Sequence, residues 1–323
     1  MKKTLGLLST VILAGSLIAP AASAATDGPE FMRIEGADRY ETAVKIAKAD
    51  YDKGDTPEVV FATGLDFPDA LAGAPLAYEM DAPILLTKTT SIPTKVKEAL
   101  TYFGVEHVTI LGGTTAISKD VEAELKKMNI DYDRISGENR YDTAAKIASE
   151  LSPSPFETAY VASGANYPDA LSVAAIASLE GSPILLTKTT SLPAETAEAL
   201  KNYTESFAIG GTAVISNDVL KKLPNGQRIA GANRYETSVK VVEELYGPPY
   251  AATLATGAGF ADALTGSVYA ANGIEPVVLT KKDGLSDEAK ELFRESGTEY
   301  YTILGGKSAV GVGVENDITH LFD

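Results

Sequence analysis

The chain has no cysteine and no tryptophan, only two histidines, and few bases: 28 Lys and Arg stand against 44 Asp and Glu, for a net charge of −16. Each shortage excludes something. Without thiols there is no disulfide and no thiolate nucleophile, so the fold must rest on hydrophobic cores, for which a 45% hydrophobic composition suffices. His107 and His320 stand in unrelated settings, so triad and imidazole–metal chemistry lack their parts. The acidity speaks against nucleic acid, whose phosphates it repels. Beyond the N-terminal segment no apolar run has bilayer-spanning length, so no transmembrane anchor is expected. Neither G-x-G-x-x-G nor G-x-x-x-x-G-K-[ST] occurs, and no cofactor is expected.

What is present begins with Lys2 and Lys3, an apolar run from Leu5 to Ile18, and Ala22-Ser23-Ala24. This is the pattern of a signal peptide over residues 1–24, which predicts a secreted protein. Its removal takes two lysines and leaves a net charge of −18. The remainder is nearly filled by three similar stretches, 33–131, 132–226 and 227–323. Pro224-Asn225-Gly226 marks a turn at the second junction.

Each stretch opens on one motif. Arg33-Ile34-Glu35-Gly36-Ala37-Asp38-Arg39-Tyr40-Glu41-Thr42-Ala43 returns from Arg134 and again from Arg228, at intervals of 101 and 94 residues. That interval is too long for a solenoid unit and fits a small domain used three times. Asp38, Asn139 and Asn233 are N-cap residues, and Glu41, Asp142 and Glu236 follow at capping-box spacing. Arg39, Arg140 and Arg234 then fall in the first helical turn, where a cation opposes the helix dipole at a cost of roughly 0.3–1 kcal/mol. A compensating partner is expected, either a carboxylate of a neighbouring module or an anionic ligand.

After the motif each stretch repeats one order of elements. A strand ends in Gly64, Gly164 or Gly257, and a helix opens at Asp69-Ala70-Leu71, Asp169-Ala170-Leu171 or Asp262-Ala263-Leu264. Apolar runs follow at Pro83 to Thr87, Pro183 to Thr187 and Pro276 to Thr280, the signature of strands buried on both faces. Another helix leads to a strand ending in Gly-Gly. The reading is an α/β fold of three tandem small parallel-sheet modules, Rossmann- or Toprim-like. Short junctions without flexible linkers argue for one closed unit. Where the first copy has the helix start Ala116 to Val121, the third has Ala309-Val310-Gly311-Val312-Gly313-Val314, as if a terminal unit had lost a connecting element.

These ordered motifs, in three copies over almost the whole chain after residue 24, resemble the type 2 cell-wall-binding repeat of Gram-positive bacteria. The resemblance implies a triangular unit of three α/β lobes, packed with pseudo-threefold symmetry, that attaches exported proteins non-covalently to an anionic secondary polymer of the wall, of polysaccharide or teichoic type. It also associates the Ile-Leu-Leu strand with binding, here Ile84, Leu85 and Leu86, and Ile184, Leu185 and Leu186. The third copy departs with Val277, Val278 and Leu279. Read from the residues alone, these runs are core strands first.

Other positions carry competing readings. The repeated Arg serves an inter-module ion pair or grips the polymer, since its fork suits carboxylate and phosphate alike. Lys88, Lys188 and Lys281 follow the buried strand at its C-terminal end, where ligands collect in open α/β sheets. The Asp residues meet a helix dipole or hold a divalent cation, although no loop of calcium-binding spacing is present. Gly64, Gly164 and Gly257 sit where backbone N–H groups cradle anions, and the Gly-Gly pairs make a turn or a binding loop. Enzyme readings find little: Asp131 and Asp133 form a single isolated Asp-x-Asp. The expectation is a non-catalytic wall-binding protein. The alternatives are an amidase-type wall hydrolase or its regulator, and a surface-layer lattice component.

Overall fold

The computed structural model describes residues 28–323; the expected signal peptide lies outside them. Twelve strands form three four-stranded sheets, parallel throughout. Lobe 1 holds β2 (Glu58–Thr63), β3 (Ile84–Thr87), β4 (His107–Leu111) and β5 (Asp131–Ile135) in the order β3-β2-β4-β5. Lobe 2 repeats it as β7-β6-β8-β9, from β6 (Thr158–Ser163), β7 (Ile184–Thr187), β8 (Glu205–Ile209) and β9 (Gln227–Ile229). Lobe 3 contains β10 (Ala251–Thr256), β11 (Val277–Thr280) and β12 (Tyr300–Leu304), and its fourth strand is β1 (Glu30–Ile34) from the other end of the chain.

The sheets are therefore offset from the sequence stretches. Each Arg-Ile strand joins the sheet of the preceding lobe, so β5 opens the second stretch but completes the first sheet. The first such strand has no preceding lobe and pairs with β12, Glu30 beside Tyr300 through Ile34 beside Leu304. The ring is closed by that ladder.

The motif then turns into a helix that belongs to the next lobe: α1 (Arg39–Asp50), α5 (Arg140–Glu150) or α9 (Arg234–Leu245). Asp38 accepts hydrogen bonds from the N–H groups of Tyr40 and Glu41, and Asn139 and Asn233 act alike. The acid of the box reaches one residue further back than its spacing predicts: Glu41 accepts from Ala37 N–H at 2.9 Å. The reason is the chain's tight reversal, in which Thr42 Oγ1 already takes Gly36 N–H at 3.0 Å. A Cβ on Gly36 would stand 2.6 Å from the Glu41 carbonyl carbon, so only glycine fits.

Around the pseudo-threefold axis pack α2 (Gly73–Glu79), α6 (Pro168–Glu180) and α10 (Ala261–Asn272). Their alanine-rich faces let the backbones approach closely, and one continuous core joins Ala74, Ala174 and Ala270. In the first copy Asp69-Ala70-Leu71 forms a turn and the helix opens only at Gly73. Phe67, Tyr167 and Phe260 meet at the axis, with ring centroids 5.3, 6.0 and 6.2 Å apart. At the far ends, Asn272 donates to Asp50 at 2.6 Å and Ser152 Oγ donates to Glu79 at 2.6 Å, again between lobes.

The remaining helices cover the sheets from outside: α3 (Thr94–Phe103), α4 (Lys119–Lys127), α7 (Ala194–Ala199), α8 (Asn217–Leu220), α11 (Asp287–Ser296) and α12 (Val312–Thr319). The third copy has therefore lost no element: α12 stands where α4 does. Its start lacks the serine cap of its sisters, Ser118 and Ser216, because the chain passes too close to Lys282 and Asp283 for any side chain at Gly311 or Gly313.

Two outcomes test this architecture. Removing Glu30–Ile34 exposes the β12 edge and breaks the Arg33–Glu315 pair; it should lower Tm by roughly 5 °C or more, read by calorimetry. An unchanged Tm would mean that the helices alone close the ring. Phe260→Ala should cost about 3 kcal/mol in denaturant unfolding, since Phe260 is buried between two rings.

Candidate functional site

In each sheet the chain leaves the second-position strand toward one edge and later returns to its other side. In lobe 1, β2 leads to β3 and β4 leads to β5, in opposite directions. The two C-terminal strand ends at this reversal leave a crevice, the place where open α/β sheets take ligands. All three crevices are present, and each is walled on its open side by the motif turn of the following lobe.

The β10/β12 cleft, about 440 Å³, is lined by Thr256, Phe260, Asp262, Gly306 and Ser308, with Tyr167 at the axis and Gly36 to Arg39 as its far wall. The β2/β4 cleft, about 330 Å³, has Asp66, Asp69, Thr89, Gly113 and Thr115 facing Gly137 to Arg140. The β6/β8 cleft, about 170 Å³, has Asn166, Asp169, Gly211 and Val214 facing Gly231 to Arg234 and Thr237. Among the described residues, one arginine is the sole basic side chain lining each.

The arginines find the compensation their helix position requires, but not in an ion pair. Arg39 Nη1 donates to the carbonyl of Gly64, Arg140 to Gly164 and Arg234 to Gly257, each within its own lobe. Two reach across the boundary to an aromatic face: Arg39 lies 5.7 Å from the Phe260 ring centre and Arg234 5.7 Å from that of Tyr167. Among the described residues no carboxylate lies within ion-pairing distance of any of the three.

The carboxylates that face them are half-buried. Burial raises the Asp169 acid to about 6, with Arg234 pulling the other way, and Asp262 is raised for the same reason, opposed by Arg39. Neither accepts a hydrogen bond within the described residues. Each lies where a Cβ on the first glycine of the Gly-Gly pair would go, Asp69 against Gly112, Asp169 against Gly210 and Asp262 against Gly305, and those glycines have φ of +100°, +114° and +98°. The second glycine of each pair lines the cleft, so the pair serves as turn and as wall at once.

The other expected residues fall elsewhere. Lys88, Lys188 and Lys281 are exposed and stand over the motif tyrosines Tyr40, Tyr141 and Tyr235 at 5.9, 5.7 and 5.9 Å, outside the lining of the clefts. Ile84, Leu85, Leu86, Ile184, Leu185 and Leu186 are no more than 1% exposed, so no ligand touches their side chains. Gly64, Gly164 and Gly257 cradle no anion: their N–H groups bond to Thr87, Thr187 and Thr280, and their missing Cβ makes room for the tyrosine ring, 2.6 Å from where it would stand. Asp133 bonds His107, which Glu58 holds from the other side, at the opposite end of the sheet.

One set of residues was not singled out from the sequence. Arg33, Arg134 and Arg228, the first residue of the motif, bind the carbonyls of Gly305, Gly112 and Gly210 at 2.7, 2.6 and 2.5 Å, pinning the Gly-Gly turn. Two of them pair with Glu315 and Glu122, whereas Arg228 meets no carboxylate among the described residues and donates instead to the Ile215 carbonyl at 2.7 Å and to Asn217 Oδ1 at 3.5 Å. Their threefold recurrence was the available signal.

Comparison with known proteins bears on what this arrangement serves. A family model described as cell wall binding domain 2 (CWB2) matches residues 33–122, 134–220 and 228–315. N-acetylmuramoyl-L-alanine amidase LytC of Bacillus subtilis (strain 168) is 34% identical over 288 residues, 88% of this chain and 57% of its own length. The amidase enhancer of the same organism is 31% identical over 297 residues, 90% of this chain and 40% of its own. The chain thus spans about half the length of these curated relatives. The solved structure of Cwp8 from Clostridium difficile superposes with a TM-score of 0.82 at 28% identity, over 90% of this chain and 51% of that one. With three repeats matched in order and the three-lobed fold shared, this chain belongs to the cell wall binding domain 2 family.

Proposed function

We propose that this chain is secreted and holds non-covalently to an anionic secondary polymer of the cell wall through its three clefts, without catalysis of its own. The observation that carries the reading is the threefold recurrence of one site. Each cleft lies at a strand reversal and is lined by a single arginine whose guanidinium is fixed at one nitrogen by a backbone carbonyl. A guanidinium held in place by a carbonyl rather than a carboxylate keeps its charge available to a phosphate or carboxylate of the polymer. Three such sites on one rigid body give multivalent attachment, in which weak individual contacts combine. The lysines over the motif tyrosines extend the positive potential beside each cleft. The buried Ile-Leu-Leu and Val-Val-Leu strands support binding by holding the strand ends in place.

Purified walls, before and after acid or hydrofluoric extraction of secondary polymers, provide the assay. The parent protein should sediment with untreated walls and stay in solution with extracted ones. Arg39→Ala, Arg140→Ala and Arg234→Ala should each lower retention with circular dichroism unchanged, and the triple variant should lose it; folded variants that bind like the parent would reduce the arginines to a structural role. A clearing band from the pure chain in a wall zymogram would instead support the hydrolase reading that the amidase relatives suggest.

Leu185→Ala separates contact from scaffold. It should cost about 2–5 kcal/mol of stability, and retention should fall only over the temperature range in which the variant unfolds.

A further inference from the structure

The three clefts share an architecture but not a charge. Besides its arginine and the half-buried aspartate, no other charged side chain among the described residues lines the β6/β8 cleft. The β10/β12 cleft adds Asp38, and the β2/β4 cleft adds both Asp66 and Glu138. With all acids ionised the linings sum to 0, −1 and −2 respectively.

We propose that the three clefts are unequal, and that the Arg234/Asp169 cleft is the principal seat for an anionic group, the extra carboxylates of its sisters weakening theirs. The proposal rests on the polymer-binding reading above and ranks the sites within it.

The added acids do no structural work that an uncharged residue fails to do. Asp66 accepts from Phe67 N–H at 2.9 Å, and Asn166 accepts from Tyr167 N–H at 3.0 Å in the same turn. Asp38 caps α1 through the same two N–H groups that Asn233 takes at the start of α9. Glu138 stands where the sister turns have Ala37 and Ala232, and there its backbone N–H alone is used, by Asp142. The charges are thus free to differ without changing the fold, and they differ at the rim of a cleft, where they act on whatever enters. A like charge within a few ångströms opposes an incoming anion far more than the distant acids do, since those are screened by salt.

The favoured cleft is also the one whose sign responds to mild acid. Asp169 faces Arg234 from α9. The β8–α8 turn offers Gly211, Ala213 and Val214, the motif turn Gly231, Ala232 and Asn233, and its own element Asn166, none of them charged. Below about pH 6 its carboxyl is neutral and the lining becomes +1. Anion binding here should therefore tighten as the pH falls through that value.

The test uses the full chain and purified walls, with apparent Kd read by sedimentation at fixed salt. Arg234→Ala should weaken binding roughly tenfold and Arg140→Ala less than about twofold, as expected for a site whose guanidinium acts against net negative neighbours. Asp66→Asn with Glu138→Ala gives the β2/β4 cleft the charge of its sister and should tighten binding several-fold. Glu291→Gln with Glu295→Gln on α11 removes the same charge elsewhere and should leave Kd unchanged. Asp169→Asn should bind at about pH 7.5 as the parent does at about pH 5, with its pH dependence flattened. Equal losses from the two arginines, or equal gains from the two acid-removing pairs, would overturn the ranking while leaving wall binding intact. A parent that fails to sediment with walls at all would instead overturn the function on which the ranking rests. Should Arg234→Ala unfold, the acid-removing variants, which place residues already used in sister copies, decide the matter.

Discussion

Each lobe is one strand short until the next repeat supplies it. The parallel pairing of the Arg-Ile strand into the preceding sheet is the constraint from which the remaining structure follows. It forces the chain to cross a lobe boundary within the few residues between Ile34 and Arg39, which is why the crossing needs Gly36, a hydroxyl at Thr42 and an N-cap at Asp38 in such close succession. Because the crossing lies at the C-terminal edge of one sheet and at the start of the next lobe's helix, a cleft between lobes is unavoidable there. Because the helix begins at the boundary, its first residue, immediately before the tyrosine that packs on the next strand's glycine, is an arginine placed at the mouth of that cleft. Architecture and candidate site have one cause.

Much of this was legible in the chain. The buried Ile84-Leu85-Leu86-Thr87 run, the caps at Asp38, Asn139 and Asn233, and the threefold order of elements follow from local chemistry, which a sequence displays directly. The offset of the sheets was not, because periodicity reports that a strand exists and which faces it buries, not which neighbour takes its hydrogen bonds. The same limit hid the work of Arg33 and Arg134, whose partners Glu315 and Glu122 lie 282 and 12 positions away. The compensation for Arg39 was sought among charges, yet a carbonyl and an aromatic face supply it, and neither has a sequence signature. Lys88, Lys188 and Lys281 were placed at the correct end of the sheet. They project over tyrosines beside the edge strand, whereas the reversal opens between the two central strands.

The copies agree inside and disagree at the rim. Glycines at 64, 164 and 257 meet the same tyrosine edge, and aspartates at 69, 169 and 262 meet the same turn glycine. Around them an acid in one copy is an amide or an alanine in another. A positive-φ glycine or a glycine under a ring has no substitute that preserves the turn, while a solvated rim carboxylate has several. A threefold scaffold with freely varying rims lets one body carry three sites of graded character.

The closing ladder also orders the birth of the molecule. Glu30 and Tyr300, its first partners, stand 270 positions apart, so β1 emerges with an unsatisfied edge and must wait for almost the whole chain. The lobe it completes is the one whose own strands appear last. Contacts of such high sequence separation form slowly, and until this one forms, the exposed side chains Phe31 and Met32 lie on a strand open to any other edge. Until the ladder closes, the net negative charge, which makes copies of the chain repel one another, disfavours pairing of the waiting strand with another copy.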